Sequence, residues 1–106
     1  MATSVETLIL MTARAMPDWA KKKASAFNAI LRYRLESYGY VVREEVSVTN
    51  RGDGRKGRID IVIDYPEKIV IEVDRRSPRK KSLYKMAQLP DHKPMSILRE
   101  PYGDLS

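Results

Sequence analysis

Apolar positions recur at spacings of three and four up to residue 38, and from residue 40 onward they alternate with polar ones. The first pattern belongs to helices with one buried face, the second to half-buried strands. Ser4 to Met16 reads as a short amphipathic helix. Thr3 or Ser4 stands at its cap, and Val5, Leu8, Ile9, Thr12, Ala13 and Met16 lie on one face. Pro17 interrupts the pattern, and a second helix is expected from Asp18 to Tyr38. Its core stripe is Trp19, Ala26, Phe27, Ile30, Leu31, Leu35 and Tyr38, and Gly39 stands where a helix-ending glycine belongs.

Tyr40 to Val48 is rich in β-branched residues and predicts a strand. Thr49 to Gly57 holds three glycines and three basic residues and predicts a loop. Its Arg-Gly-Asp tripeptide is too short to carry a function. Two more strands are expected, Arg58 to Asp64 and Lys68 to Asp74, joined at Tyr65-Pro66-Glu67 as an antiparallel hairpin. Ser77-Pro78 opens a third helix, Pro78 to Leu89, with Leu83, Met86 and Ala87 toward the core. Met95 to Arg99 predicts a final strand. The expected architecture is a single α/β domain of the mixed-sheet, α+β kind: an N-terminal helix (1–17), an αβββαβ core (18–99) and a tail (100–106).

The hairpin holds the informative chemistry. With a turn symmetric about Pro66, Ile63 faces Ile69, Val62 faces Val70 and Asp60 faces Glu72, with Asp74 on the same side as Glu72. Like charges opposite one another destabilise a strand pair, and partial burial raises carboxylate pKa values. A hard divalent cation resolves both costs, so Asp60, Glu72 and Asp74 are candidate ligands of Mg²⁺ or Mn²⁺. The plainer alternative is a solvated edge on which Arg58 pairs with Asp74.

Charge points the same way. The 106 residues carry 20 Lys plus Arg against 14 Asp plus Glu, a net charge of +6. The basic residues gather at Lys21 to Lys23, Arg51 to Arg58, and Arg75 to Lys81. Clustered cations suit a polyanion, because several released counterions reward them together. No apolar run approaches the length of a membrane span, no secretory signal is expected, and the absence of cysteine excludes disulfides and thiolate metal sites. A cytoplasmic protein is the expectation. His92, a lone histidine in a proline-flanked loop, is assigned no catalytic role.

Gly57-Arg58-Ile59-Asp60 and Ile71-Glu72-Val73-Asp74, with eleven residues between Asp60 and Glu72, resemble the PD-(D/E)xK, restriction-endonuclease-like nuclease superfamily. The resemblance extends from the helix around Ser25 to the strand near Leu98. It implies a metal-dependent deoxyribonuclease with the conserved-type Asp on the second strand and the (D/E)xK tripeptide on the third. Asp74 stands where that lysine belongs, and the resulting E-x-D resembles domains related to very-short-patch-repair endonucleases. The acidic residue that many of those carry on the first core helix corresponds by position to Asn28, or less well to Glu36. Asn28 offers a neutral oxygen ligand.

On this reading Asp60 and Glu72 hold Mg²⁺, Asp74 is a further ligand or orients the attacking water, and the products carry a 5′-phosphate and a 3′-hydroxyl. Arg75, Lys81 and Lys85 are candidates to stabilise charge on the phosphate, with Lys81, Lys85 and Gln88 aligned on one helix face. Arg51, Arg55, Lys56, Arg58, Arg75, Arg76, Arg79, Lys80 and Gln88 are the expected nucleic-acid contacts, and Tyr33, Tyr40, Tyr84 and Tyr102 are candidates for base stacking. The expected partner is DNA, with RNA as the alternative polyanion. A chain of this size implies a homodimer or a targeting partner. Two rival readings accompany the nuclease: the same fold as a weak or inactive DNA-binding or regulatory module, and a protein-interaction role for the first helix.

Overall fold

Ser4 accepts the Thr7 N–H at 3.1 Å and so caps the first helix, α1 (Val5–Arg14). The computed structural model describes residues 4–50 and 53–100. The long helix expected from Asp18 is divided into α2 (Asp18–Lys21) and α3 (Ala24–Ser37), with Lys23 extended between them and no side-chain cap. The turn falls in the lysine run, where no apolar residue needs the core. Ala20 and Phe27 enter the same cluster, while Trp19 is 65% exposed, outside the stripe the sequence suggested. Gly39 ends the region with φ +88°, a conformation glycine adopts without strain.

Four strands follow: β1 (Val41–Val48), β2 (Gly57–Tyr65), β3 (Ile69–Asp74) and β4 (Lys93–Leu98), with α4 (Lys80–Ala87) between the last two. The sheet order is β1-β2-β3-β4, antiparallel for the first two pairs and parallel between β3 and β4. A crossover helix is what a parallel pair requires. The chain is therefore one α+β domain, with N-terminal helices before a mixed sheet and a helix between β3 and β4. No helix among the described residues is long and apolar enough to cross a membrane.

Helices cover both faces. On one, Ile61, Ile63, Ile69, Ile71 and Val73 meet Ile9 of α1 and Phe27, Leu31 and Leu35 of α3. On the other, Val62, Val70, Ile59 and Val48 meet Met86 of α4. Burial from both sides explains why β3 is buried along its whole length. It also explains why its carboxylates cannot be solvated.

α4 is shorter and differently rotated than its sequence suggests. Ser82 is fully buried and Met86 nearly so, whereas Leu83 is 54% exposed and Ala87 is also on the outside. The face turned inward combines Met86, in the apolar cluster, with Ser82, whose hydroxyl donates to Asp74.

Residues two apart on a regular strand share a face. Ile59 and Ile61 do not: they belong to clusters on opposite faces, as do Val46 and Val42. The switch falls at Glu45, whose φ is +58°. It also falls at Asp60, since the register runs Glu44↔Ile61 and resumes at Val46↔Ile59 without a Glu45–Asp60 pair.

Candidate functional site

The hairpin pairs Ile63 with Ile69, Val62 with Val70 and Ile61 with Ile71, the register expected from the turn. Beyond Ile61 the ladder ends, and side chains take the place of backbone partners. The Asp60 N–H donates to Oε2 of Glu72 at 3.0 Å, and the Val73 N–H donates to Oδ2 of Asp60 at 2.8 Å. Each carboxylate thus fills a ladder position on the opposite strand. Asp60 and Glu72 are brought together by backbone geometry.

Both helical layers reach this point. From α3, Asn28 Nδ2 donates to Oδ1 of Asp60 at 3.2 Å. From α4, Lys85 forms an ion pair with Oε1 of Glu72 and donates to the Arg58 carbonyl at 2.9 Å. Glu72 is fully buried and Asn28 is 5% exposed. The Glu72 pKa is raised to about 7, by burial first and by the adjacent Asp60 carboxylate second, with Lys85 opposing both. One buried oxygen of the cluster, Oδ1 of Asn28, takes no hydrogen bond, while Oε1 of Glu72 has only the Lys85 ammonium. Buried oxygens without donors are costly and call for a partner.

Asp74 does not join the cluster. It lies two residues beyond Glu72 on the strand, but the start of α4 sits over it. Its oxygens accept from Arg79 N–H at 3.2 Å, Arg79 Nε at 2.7 Å and Ser82 Oγ at 3.1 Å. Among the described residues, no three Asp, Glu or His side chains converge closely enough to hold a metal ion. The three-carboxylate centre expected from the sequence is corrected to a pair, Asp60 and Glu72, flanked by Asn28 and Lys85. The solvated-edge alternative is not found either, since Arg58 pairs with Glu45 at 3.2 Å and Asp74 with Arg79.

An oxygen-only donor set of two carboxylates and one amide fits a hard divalent cation, which binds through one or two carboxylates plus water and phosphate oxygens. The unsatisfied buried Oδ1 of Asn28 fits the same description.

The remaining expected residues divide. Lys80, Lys81, Arg55 and Lys56 are exposed. Arg75 pairs with Glu100 at 2.6 Å, and Arg79 is committed to Asp74. Arg76 is exposed, and Arg51 and Tyr102 lie outside the described residues. Gln88 is no open contact, because its amide is given to the loop after β1. Glu36, the second choice for the helix position, pairs with Arg32 at 3.1 Å. Tyr33 and Tyr84 are exposed, while Tyr40 is partly buried in the core. His92 pairs with Asp64 at 3.2 Å, away from the carboxylate pair.

Sequence reasoning missed Ser82 and Arg79 as the holders of Asp74. Their signal was present: Ser82, Lys85, Met86 and Leu89 are spaced as one helix face. Two of its members are polar, so a search for apolar stripes passes over it. Comparisons with models of known protein families, with curated proteins and with solved structures find no match to this chain.

Proposed function

We propose that this chain is a divalent-metal-dependent nuclease of the PD-(D/E)xK type, hydrolysing phosphodiester bonds in DNA. The observation that carries the reading is the Asp60–Glu72 pair, held where β2 and β3 part, with the buried Oδ1 of Asn28 beside it lacking a donor. The αβββαβ element order and the net charge of +6 support it.

Asp60, Glu72 and Oδ1 of Asn28 would hold the ion. Bound there, Mg²⁺ or Mn²⁺ supplies neutralisation of phosphate charge and a water acidic enough to attack near neutral pH. The chain supplies the rest. The strand amides fix both carboxylates in place, so little side-chain freedom is lost when a ligand arrives. Lys85 brings an ammonium group beside Glu72, where it offsets negative charge developing on a phosphate oxygen. Asp74 anchors α4 and thereby holds Lys85 in reach. It is a positioning residue.

One observation favours a second reading, a DNA-binding or regulatory module without turnover. Lys85 already offsets the charge of Glu72, so the pair is partly satisfied without a metal. Calorimetric titration with Mn²⁺ separates the two, alongside a nicking assay with Mg²⁺ and Mn²⁺. The nuclease reading expects metal binding and strand cleavage in wild type, and neither in Glu72→Ala or Asp60→Asn. Wild type that binds DNA yet cuts no substrate with either ion supports the module instead.

A further inference from the structure

The start of the loop between β1 and β2, and the start of β2 after it, are fastened to α4 and its C-cap. At the start of the loop, Gln88 Nε2 donates to the Asn50 carbonyl, while Gln88 Oε1 accepts the Asn50 N–H at 3.1 Å and the Thr49 hydroxyl at 3.2 Å. One side-chain amide thus serves both backbone groups of Asn50, as a neighbouring strand would. Past the loop, in β2, the Arg58 carbonyl accepts from Lys85 at 2.9 Å. Inside the loop, Asn50 Oδ1 accepts the Gly54 N–H at 3.0 Å, and Asp53 Oδ1 accepts the Arg55 N–H at 3.0 Å. Gly54 has φ +82°, a turn that favours glycine. A chain of hydrogen bonds therefore runs from Gln88 through Asn50 to the backbone just before Arg55 and Lys56.

Free loop cations bind a polyanion poorly, because ordering the loop costs conformational entropy that binding must offset. Here Gln88 and Asn50 hold the stretch from Gly54 in place in advance. Helix α4 carries Lys85 into the carboxylate pair and presents exposed Lys81 one turn away on the same side.

We propose that Gln88 is a positioning residue which fixes the loop after β1, so that Arg55, Lys56 and Lys81 form one surface gripping the DNA backbone beside Asp60 and Glu72. The inference rests on the nucleic-acid reading above and adds to it a location and a device. Gln88 touches no phosphate itself and acts through Asn50.

The test is the affinity for a labelled DNA duplex, followed by fluorescence anisotropy against salt with a chelator present, so that cleavage plays no part. Gln88→Ala is expected to bind about tenfold or more weakly at ~0.1 M salt, with a salt slope lower by about two, matching Arg55→Ala/Lys56→Ala. Adding Gln88→Ala to that double variant is expected to cost little more, because the residue acts through those cations. Asn50→Ala, which cuts the same chain one link further on, is expected to copy Gln88→Ala. Thermal unfolding checks that each variant is folded. Gln88→Ala that binds like wild type, or whose loss adds fully to that of the double variant, overturns the inference and leaves the DNA reading standing. Wild type with no affinity for duplex at low salt sinks the DNA reading itself, and the inference with it.

Discussion

The backbone N–H of Asp60 donates to Oε2 of Glu72 across 3.0 Å, at the point where β2 and β3 cease to pair as a ladder. A carboxylate in a ladder position has its backbone amide partner supplied by the fold. Its charge is another matter. Glu72 has no solvent and shares its surroundings with Asp60, so the fold holds it in place without making it comfortable as an anion.

That discomfort predicts how stability depends on pH. Glu72 holds its proton up to about pH 7 in the fold, against 4.5 ordinarily. Between those values the folded chain keeps a proton the unfolded chain has released. The associated stability is therefore fully present below about 4.5 and is lost as pH rises through about 7. The change amounts to at most about 3 kcal/mol. Denaturant midpoints measured across this range in wild type and Glu72→Gln check it. Wild type should lose stability relative to Glu72→Gln as pH rises, and parallel curves would refute the assignment. Metal binding requires the ionised form, so Mn²⁺ affinity should rise over the same interval.

Asp74 predicts a separation of stability from metal binding. Its carboxylate accepts from Arg79 and from buried Ser82, and Asp74→Ala leaves that hydroxyl without an acceptor. The expected cost is about 2 to 3 kcal/mol. Mn²⁺ affinity should stay within about tenfold of wild type, a change of ~1.4 kcal/mol. Asp60→Asn should show the opposite pattern, with affinity lost and stability little changed. If Asp74→Ala abolishes metal binding while leaving the thermal midpoint unmoved, Asp74 is a ligand after all.

The fate of Asp74 shows what the sequence could and could not convey. Element order, the hairpin register and the meeting of Asp60 with Glu72 followed from alternation and one symmetric turn, because strand periodicity fixes which residues can face each other. Asn28 was reachable only through the family resemblance, by its position on the first core helix. The role of Asp74 was not, because it depends on where α4 comes to rest, with Ser82 turned inward. The division at Lys23 was hidden as well, because the helical pattern of apolar residues continues through it.

Lys85 is half of the charge balance at the site. With only 12% of its side chain exposed, it meets Glu72 where little water competes. Lys85→Met keeps the length of the chain and removes the charge. Glu72 should then be still harder to ionise, so that metal binding demands a higher pH than in wild type. Cleavage should fall by about 10² or more even at saturating metal. Calorimetry at several pH values and single-turnover nicking measure the two effects apart. A variant that binds Mn²⁺ with the wild-type pH profile would remove Lys85 from the site's electrostatics.

Glu45 bears on how the site is shaped. Its φ of +58° lies opposite Asp60, where the strand faces exchange. Left-handed backbone costs an L-residue about 1 to 2 kcal/mol, while glycine adopts it freely at an entropic cost of about 0.5 to 1 kcal/mol. The Glu45–Arg58 pair is exposed on both sides, so losing it matters little. Glu45→Gly should therefore leave stability unchanged or raise it by up to about 1 kcal/mol. Ser47→Gly, an exposed position in the regular part of the same strand, should lose about 1 kcal/mol. Glu45→Val should lose more, since a β-branched side chain tolerates that conformation least. Urea midpoints for the three variants decide the matter. If Glu45→Gly is destabilised as much as Ser47→Gly, then β1 runs straight past Asp60, and the exchange of faces that sets the carboxylate pair between the two helical layers does not occur.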